Sequence, residues 1–228
     1  MTPHVITKGK FFPSKDLLEK KLEDLRAQAK QANLPIQLKL SCEIMITEDG
    51  LNYLQEGSFW GYQDTDYVLI EFMPPFEEKL IQEALYELKC QHKKVIVAHP
   101  ERYFSNPKIA LETVRSWIAL GAHFQVNRTS IFVDSKASTR SVALALIDHN
   151  LISLIASDAH HAPGRRECRM EDIHTELIRL FDQKTADTLC IDNPTHLSDN
   201  QSLVKTTLSQ SWFSHQVRAY RFKNSRRI

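Results

Sequence analysis

Ser153–Arg166 reads SLIASDAHHAPGRR. An apolar run stops abruptly at Asp158 and His160; Pro163 and Gly164 then break the chain and deliver Arg165 and Arg166. Metal-type ligands placed where a buried strand ends form one side of a site, so the other side must come from elsewhere in the chain. Leu38 to Ile44, Tyr67 to Phe72, Val95 to Ala98 and Leu151 to Ala156 are all apolar runs, with AHFQVN (122–127) a weaker example. Each is too short for a helix and too continuous for a strand with one wet face. Strands buried on both faces look like this, and they belong to parallel sheets.

Between these runs lie helical patterns. Leu18, Leu22, Leu25 and Ala29 make one stripe, with Pro13-Ser14 as its start signal. Leu80, Ala84, Leu85 and Leu88 make a second; Val114, Trp117 and Ile118, then Val142, Leu144 and Ile147, follow. Each is expected to be the core-facing side of a helix that covers the sheet. The polar residues closing the strands are Glu43, Glu71, His99, Asn127 and Asp158, at intervals of 28, 28, 28 and 31. That is close to the ~30 residues per strand-helix unit of an eight-unit barrel of ~250 residues. In such barrels the C-terminal strand ends share one face, and that face holds the chemistry. Scattered carboxylates and imidazoles are therefore expected to converge, with the five strand ends in register.

The 228 residues suffice for one sizeable core, and 42% hydrophobic with 25% charged residues is ordinary for a soluble globular chain. A formal charge of +1 makes no case for nucleic acid or membrane binding. Cys42, Cys90, Cys168 and Cys190 are widely spaced without a CxxC pair and read as reduced thiols. No segment resembles a signal peptide or reaches membrane-spanning length, so a cytoplasmic protein is expected.

Histidine and carboxylate ligands without thiolate suit Mn, Fe or Zn, and bridging carboxylates allow a cluster of ions. Such a cluster activates water and stabilises displacement at phosphorus. Guanidinium forks match phosphate geometry, and Arg102 in AHPERY and Arg165 in APGRR lie just past strand ends. Arg166 reads as a surface arginine. A single Glu closing an apolar run is as readily a solvated strand end, and His4 or His99 alone could be a hydrogen-bonded core histidine. His92, His123, His149, His174, His196 and His215 read as structural. The chain has only six glycines, and no nucleophile elbow, Gly-rich phosphate loop or Walker motif. Hydrolysis by a metal-activated water is the expected chemistry.

The stretches TPH (Thr2 to His4), CEI around Glu43, YVLIEF, VIVAHPERY, FQVN, IASDAH and IDNP (Ile191 to Pro194) occur in this order. From Thr2 to about Pro194 the chain resembles the bacterial PHP-domain protein-tyrosine phosphatases of the CpsB/YwqE type. The resemblance implies an α/β fold, a distorted β/α barrel of seven strands. It also implies a manganese-dependent site of two or three divalent ions, with Fe or Zn as other candidates. His4, Glu43, Glu71, His99, Asp158 and His160 would be metal ligands, and Arg102 and Arg165 would hold the phosphoryl group. The implied partner is the phosphotyrosine tail of a tyrosine autokinase that controls capsule or exopolysaccharide assembly.

Two departures bear on these expectations. The family usually has proline after the arginine that follows Gly164, and here Arg166 stands there. The family also opens with a strand carrying a His-x-His pair and an Asp-rich turn, whereas this chain begins at the TPH strand end. The first strand-helix unit is thus expected to be missing, with six ligands able to hold two ions at best. Either the reading frame continues upstream of Met1, which the otherwise complete set of motifs favours, or the chain is a shortened and catalytically impaired product. Residues 1–198 are expected to form the phosphatase domain and 199–228 a basic extension. From Lys205 to Ile228 six basic residues and no acidic one are interleaved with Trp212, Phe213, Tyr220 and Phe222, the pattern of a solvated terminal run. Two other functions fit the residues: a small-molecule phosphatase of the histidinol-phosphate type, and a non-catalytic module that binds a phosphopeptide.

Overall fold

The computed structural model describes residues 1–7, 12–57, 59–160 and 166–207. All six residues of YVLIEF, strand β3 (Tyr67–Phe72), are buried, as a strand covered on both faces requires. Around it lie β1 (His4–Val5), β2 (Glu43–Ile46), β4 (Lys94–Ala98), β5 (His123–Asn127) and β6 (Leu154–Ala156). These six form one sheet in the order β1-β2-β3-β4-β5-β6, every neighbouring pair parallel. The sheet curls into a half-barrel, so that His4 on β1 and His160 beyond β6 approach to 3.4 Å through their Nε2 atoms.

Helices α1 (Lys15–Gln31), α2 (Glu48–Gln55), α3 (Glu78–Cys90), α4 (Pro107–Ala119), α5 (Ala137–Asp148) and α6 (Glu171–Leu180) follow successive strands. Ser14 caps α1, accepting from Leu17 N–H, Thr47 caps α2, and Asn106 followed by Pro107 starts α4. The outward sheet residues, among them Ile44, Val68, Ile70, Val97, Phe124 and Val126, pack with Ile81, Leu85, Val114, Trp117 and Leu146 of the helices. The inward row is a second core of Tyr67, Leu69, Ile96, Ala98 and Leu154. Its upper end is polar, because Glu71 and Asn127 are its next members.

A strap closes the lower end. Helices α7 (Gln183–Asp187) and α8 (Asn193–Ser198) are joined by a π-helical turn, Thr188–Asp192. The fully buried Asn193 of IDNP donates to Ser153 O (2.7 Å) and Val204 O (2.9 Å) and accepts from Val204 N–H (2.7 Å). Beyond it, Asn200 bonds Asp66 and Lys94, Tyr67 Oη donates to Gln201 O (2.7 Å), and Leu197 and Leu203 pack on the inward core. Residues 199–207 are therefore woven into the barrel; Trp212, Phe213, His215, Tyr220 and Phe222 lie outside the described residues.

Three expectations change. Pairing in β2 runs over Glu43–Ile46 and not from Leu38, because its ladder with β3 begins at Glu43 opposite Leu69. The stripe on α1 is largely uncovered: only Leu22 is buried, and Leu25 is exposed. The strand ends are staggered rather than in register. Glu43 pairs with Leu69, Glu71 with Met45, and Asn127 with Ala156. Stagger is the geometric consequence of tilting strands to curl a sheet. No helix among the described residues is long and apolar enough to cross a membrane, and the four cysteines are free thiols.

Candidate metal centre

Inward-facing alternation carries His4, Glu43 and Glu71 to the top of the barrel. Val95 and Val97 face the helices, and strict alternation would send His99 after them. The left-handed backbone at His99, φ 35°, breaks the alternation and turns the ring inward. Asp158 carries the same signature, φ 49°. Non-glycine residues held in this region cost about 1–3 kcal/mol each and cluster at functional sites.

Four of these side chains form a closed square. His4 Nδ1 is 3.1 Å from Glu71 Oε1 and 3.5 Å from Glu43 Oε2. His99 Nε2 is 2.9 Å from Glu43 Oε1 and 3.5 Å from Glu71 Oε2. Glu43 and Glu71 are only 4% and 7% exposed, and two adjacent buried carboxylates demand positive charge. The imidazoles respond: the bond to Glu71 raises the pKa of His4 above its ordinary value against the opposing effect of burial. Burial lowers that of His99, but the bond to Glu43 and its charge more than reverse this. Ligand atoms of His4, Glu43 and Glu71 all lie within 4.8 Å of one another, a spacing that suits one divalent ion. His99 Nδ1 is buried without a partner. A carboxylate-imidazole set of this kind fits Mn, Fe or Zn.

A second group adjoins the square. His160 Nε2 is 3.4 Å from His4 Nε2, and His160 Nδ1 is 3.5 Å from Asp158 Oδ1. Asp158 Oδ2 accepts from Asn127 Nδ2 (2.6 Å) and from Arg166 Nη2, with Arg102 Nη1 at 3.5 Å. All six expected ligand residues and Arg102 thus converge. Arg165 and His161 lie outside the described residues. Arg166, expected at the surface, instead clamps the turn: its Nε donates to Asp158 O (3.1 Å), and its own carbonyl accepts from His160 N–H (2.9 Å). Asn127 was legible as a strand end but not as the residue that holds Asp158, and Glu101 gave no signal in the sequence at all.

The expected structural histidines have other partners: His174 bonds Asp187 (2.7 Å), His149 bonds Ala145 O, and His123 packs on Tyr67. The centre opens on a cleft of about 400 Å³ lined by Thr2, His4, Leu18, Leu25, Glu43 and His160. A larger cleft of about 630 Å³ between α1 and the loop before β3 contains none of the site residues.

A parallel half-barrel whose strand ends gather carboxylates, imidazoles and guanidinium groups at one mouth defines a β/α-barrel protein with a candidate metal centre. The model of the capsular polysaccharide synthesis family CpsB/CapC matches residues 1–199, and the chain belongs to that family. CapC of Staphylococcus aureus is 30% identical over 166 residues, which are 72% of this chain and 64% of that protein. The tyrosine-protein phosphatase CpsB of Streptococcus agalactiae serotype III is 27% identical over 200 residues, 85% of this chain and 81% of that one. The chain thus spans a little under two thirds of the length of CapC and about four fifths of that of CpsB. A similar fold occurs in the crystal structures of YwqE from Bacillus subtilis and CpsB from Streptococcus pneumoniae, metal-dependent tyrosine phosphatases. The TM-score is 0.72 at 23% identity, covering 83% of this chain and 76% of that one.

Proposed function

We propose that this chain is a metal-dependent protein-tyrosine phosphatase acting in the cytoplasm on the phosphotyrosine tail of a tyrosine autokinase that governs capsule or exopolysaccharide assembly. The observation that carries the reading is the square of His4, Glu43, His99 and Glu71 beside Asp158, His160 and Arg102. Membership of the CpsB/CapC family and similarity to proteins named tyrosine-protein phosphatases support it.

In this reading the six carboxylate and imidazole residues would hold up to two divalent ions, Mn²⁺ first among the candidates. Bound there, the metal supplies a Lewis acid for the phosphoryl oxygens and lowers the pKa of water. The rest falls to the chain. Glu43 and Glu71 are held rigid by burial and by two imidazoles each, so the anionic base of the site is preorganised. Arg102 stands half exposed at the rim, where its fork can take two phosphoryl oxygens; Arg165, by sequence, is its proposed partner. Asn127 and Arg166 both occupy Asp158 Oδ2 and so set the direction of Oδ1.

The test is turnover of a phosphotyrosine peptide against a small aliphatic phosphate monoester by the Mn²⁺-loaded protein. Preference for the peptide, loss of turnover on chelation, background rates for His99→Ala and Asp158→Ala, and a loss of about 10²–10³-fold for Arg102→Ala are expected. Turnover that survives both ligand substitutions would show that the ligands are wrongly assigned, and preference for the small monoester would redirect the substrate.

A further inference from the structure

Glu101 is the one fully buried carboxylate of AHPERY, 0% exposed, and none of the roles proposed above uses it. It sits in the single helical turn Pro100–Arg102 that begins directly after His99. Its Oε1 accepts from Asn127 N–H (3.0 Å) and from Ser130 Oγ (2.7 Å), so it ties the end of β4 to the turn Arg128–Ser130 after β5. Its other oxygen, Oε2, is buried with no partner. His99 Nδ1 is likewise buried with no partner, while His99 Nε2 faces Glu43 and Glu71. One orphan is a ring nitrogen that carries a proton whenever Nε2 binds a cation, and the other is an acceptor two residues away. A histidine that ligates a metal almost always donates its second nitrogen to a carboxylate, a carbonyl or water, which fixes its tautomer.

We propose that Glu101 is a positioning residue of the centre, its Oε2 accepting from His99 Nδ1–H once a cation holds Nε2, while Oε1 anchors the neighbouring strand end. This rests on the reading of His99 as a metal ligand. A carboxylate is required because Asn127 N–H and Ser130 O–H already occupy Oε1 and leave Oε2 as the free acceptor for His99 Nδ1–H. A glutamine has a single acceptor oxygen, and its amide would turn a donor toward one of them. The same tie orients Asn127, whose side chain holds Asp158, and the turn that carries Arg102.

The experiment is Mn²⁺ binding by the stripped full chain, read from the electron paramagnetic resonance of free Mn²⁺, with the melting curve of each variant as the control for folding. Glu101→Gln should bind about 10–100-fold more weakly than the parent, with its metal-free melting transition retained. Ser130→Ala, which loses only a donor to Oε1, should bind as the parent does; an equal loss there would reduce Glu101 to a structural tie and overturn the proposal. A folded Glu101→Gln that binds like the parent overturns it too. If Glu101→Gln does not fold, ¹⁵N spectra of the histidine rings in the Zn²⁺-loaded parent decide. A far-downfield Nδ1–H resonance of His99, with the ¹⁵N shift of a ring donating to a carboxylate, upholds the proposal, and an Nδ1–H with the shift of an unbonded ring overturns it. A parent that binds Mn²⁺ but leaves phosphotyrosine intact refutes the phosphatase reading alone, whereas a parent that binds no Mn²⁺ refutes the centre itself.

Discussion

His99 and Asp158 are the two residues just past strand ends whose backbones take the left-handed region. Both point a ligand atom into the mouth where regular alternation would not deliver it, and both are braced: His99 by Glu43, Asp158 by Asn127 and Arg166. A comparable brace lies next to the centre, where the largely buried Arg128 bonds both oxygens of Asp172 at the start of α6 and stacks on Phe132. The bond from Arg128 outweighs burial and holds the Asp172 carboxyl below its ordinary pKa of 3.8. A depressed carboxylate stabilises the fold above its unfolded value and loses that contribution as pH falls through the folded one. Asp172→Asn should therefore lower the melting temperature at neutral pH and lessen the further fall on acidification through 3.8. Parallel acid limbs for the two proteins in a pH series of melts would count against this account.

At the scale of the element, helix α4 does most to fasten the outer layer. Trp117 is fully buried and lies 5.4 to 6.3 Å, ring to ring, from Phe72, Phe76, Phe104 and Phe124. Phe76, Tyr103 and Phe104 extend this aromatic cluster to the loops after β3 and β4, beneath the turn that carries Arg102. Tyr103 Oη accepts from Phe72 N–H (3.0 Å) at the end of β3. Trp117→Ala should cost about 3–5 kcal/mol in urea unfolding. The cavity would lie under the loops of the site, so Mn²⁺ affinity should weaken with it; a loss under 1 kcal/mol would show that the cluster repacks. Helix α1 is the contrast, amphipathic in sequence yet with Leu17 and Leu25 exposed.

For the molecule as a whole, the half-barrel depends on its strap. Asn193 serves three backbone groups on two separate segments, Ser153 and Val204, and seals the lower end of the inward core. Asn193→Ala should destabilise by about 1–3 kcal/mol, with faster hydrogen exchange in β6 and residues 200–207 than in β3. Uniform acceleration across the sheet would mean the strap has no local role.

Much of this was present in the chain before folding. The runs that became β3 and β4 were readable because strands buried on both faces leave no polar alternation. The polar residues that close them had to share a face because parallel connections put all C-terminal ends on one side. Glu43, Glu71, His99 and Asp158 were therefore visible as candidates from spacing alone. Tertiary structure decided what local pattern cannot encode. The stagger of the strand ends comes from the curl of the sheet, and the inward turn of His99 from one left-handed residue. The capture of Asp158 by Arg166 joins residues eight apart in sequence, and the burial of Glu101 depends on a neighbouring strand end and turn that supply two donors. A sequence determines which residues prefer to leave water and at what period; which buried polar atoms meet is settled only when distant segments close over one another.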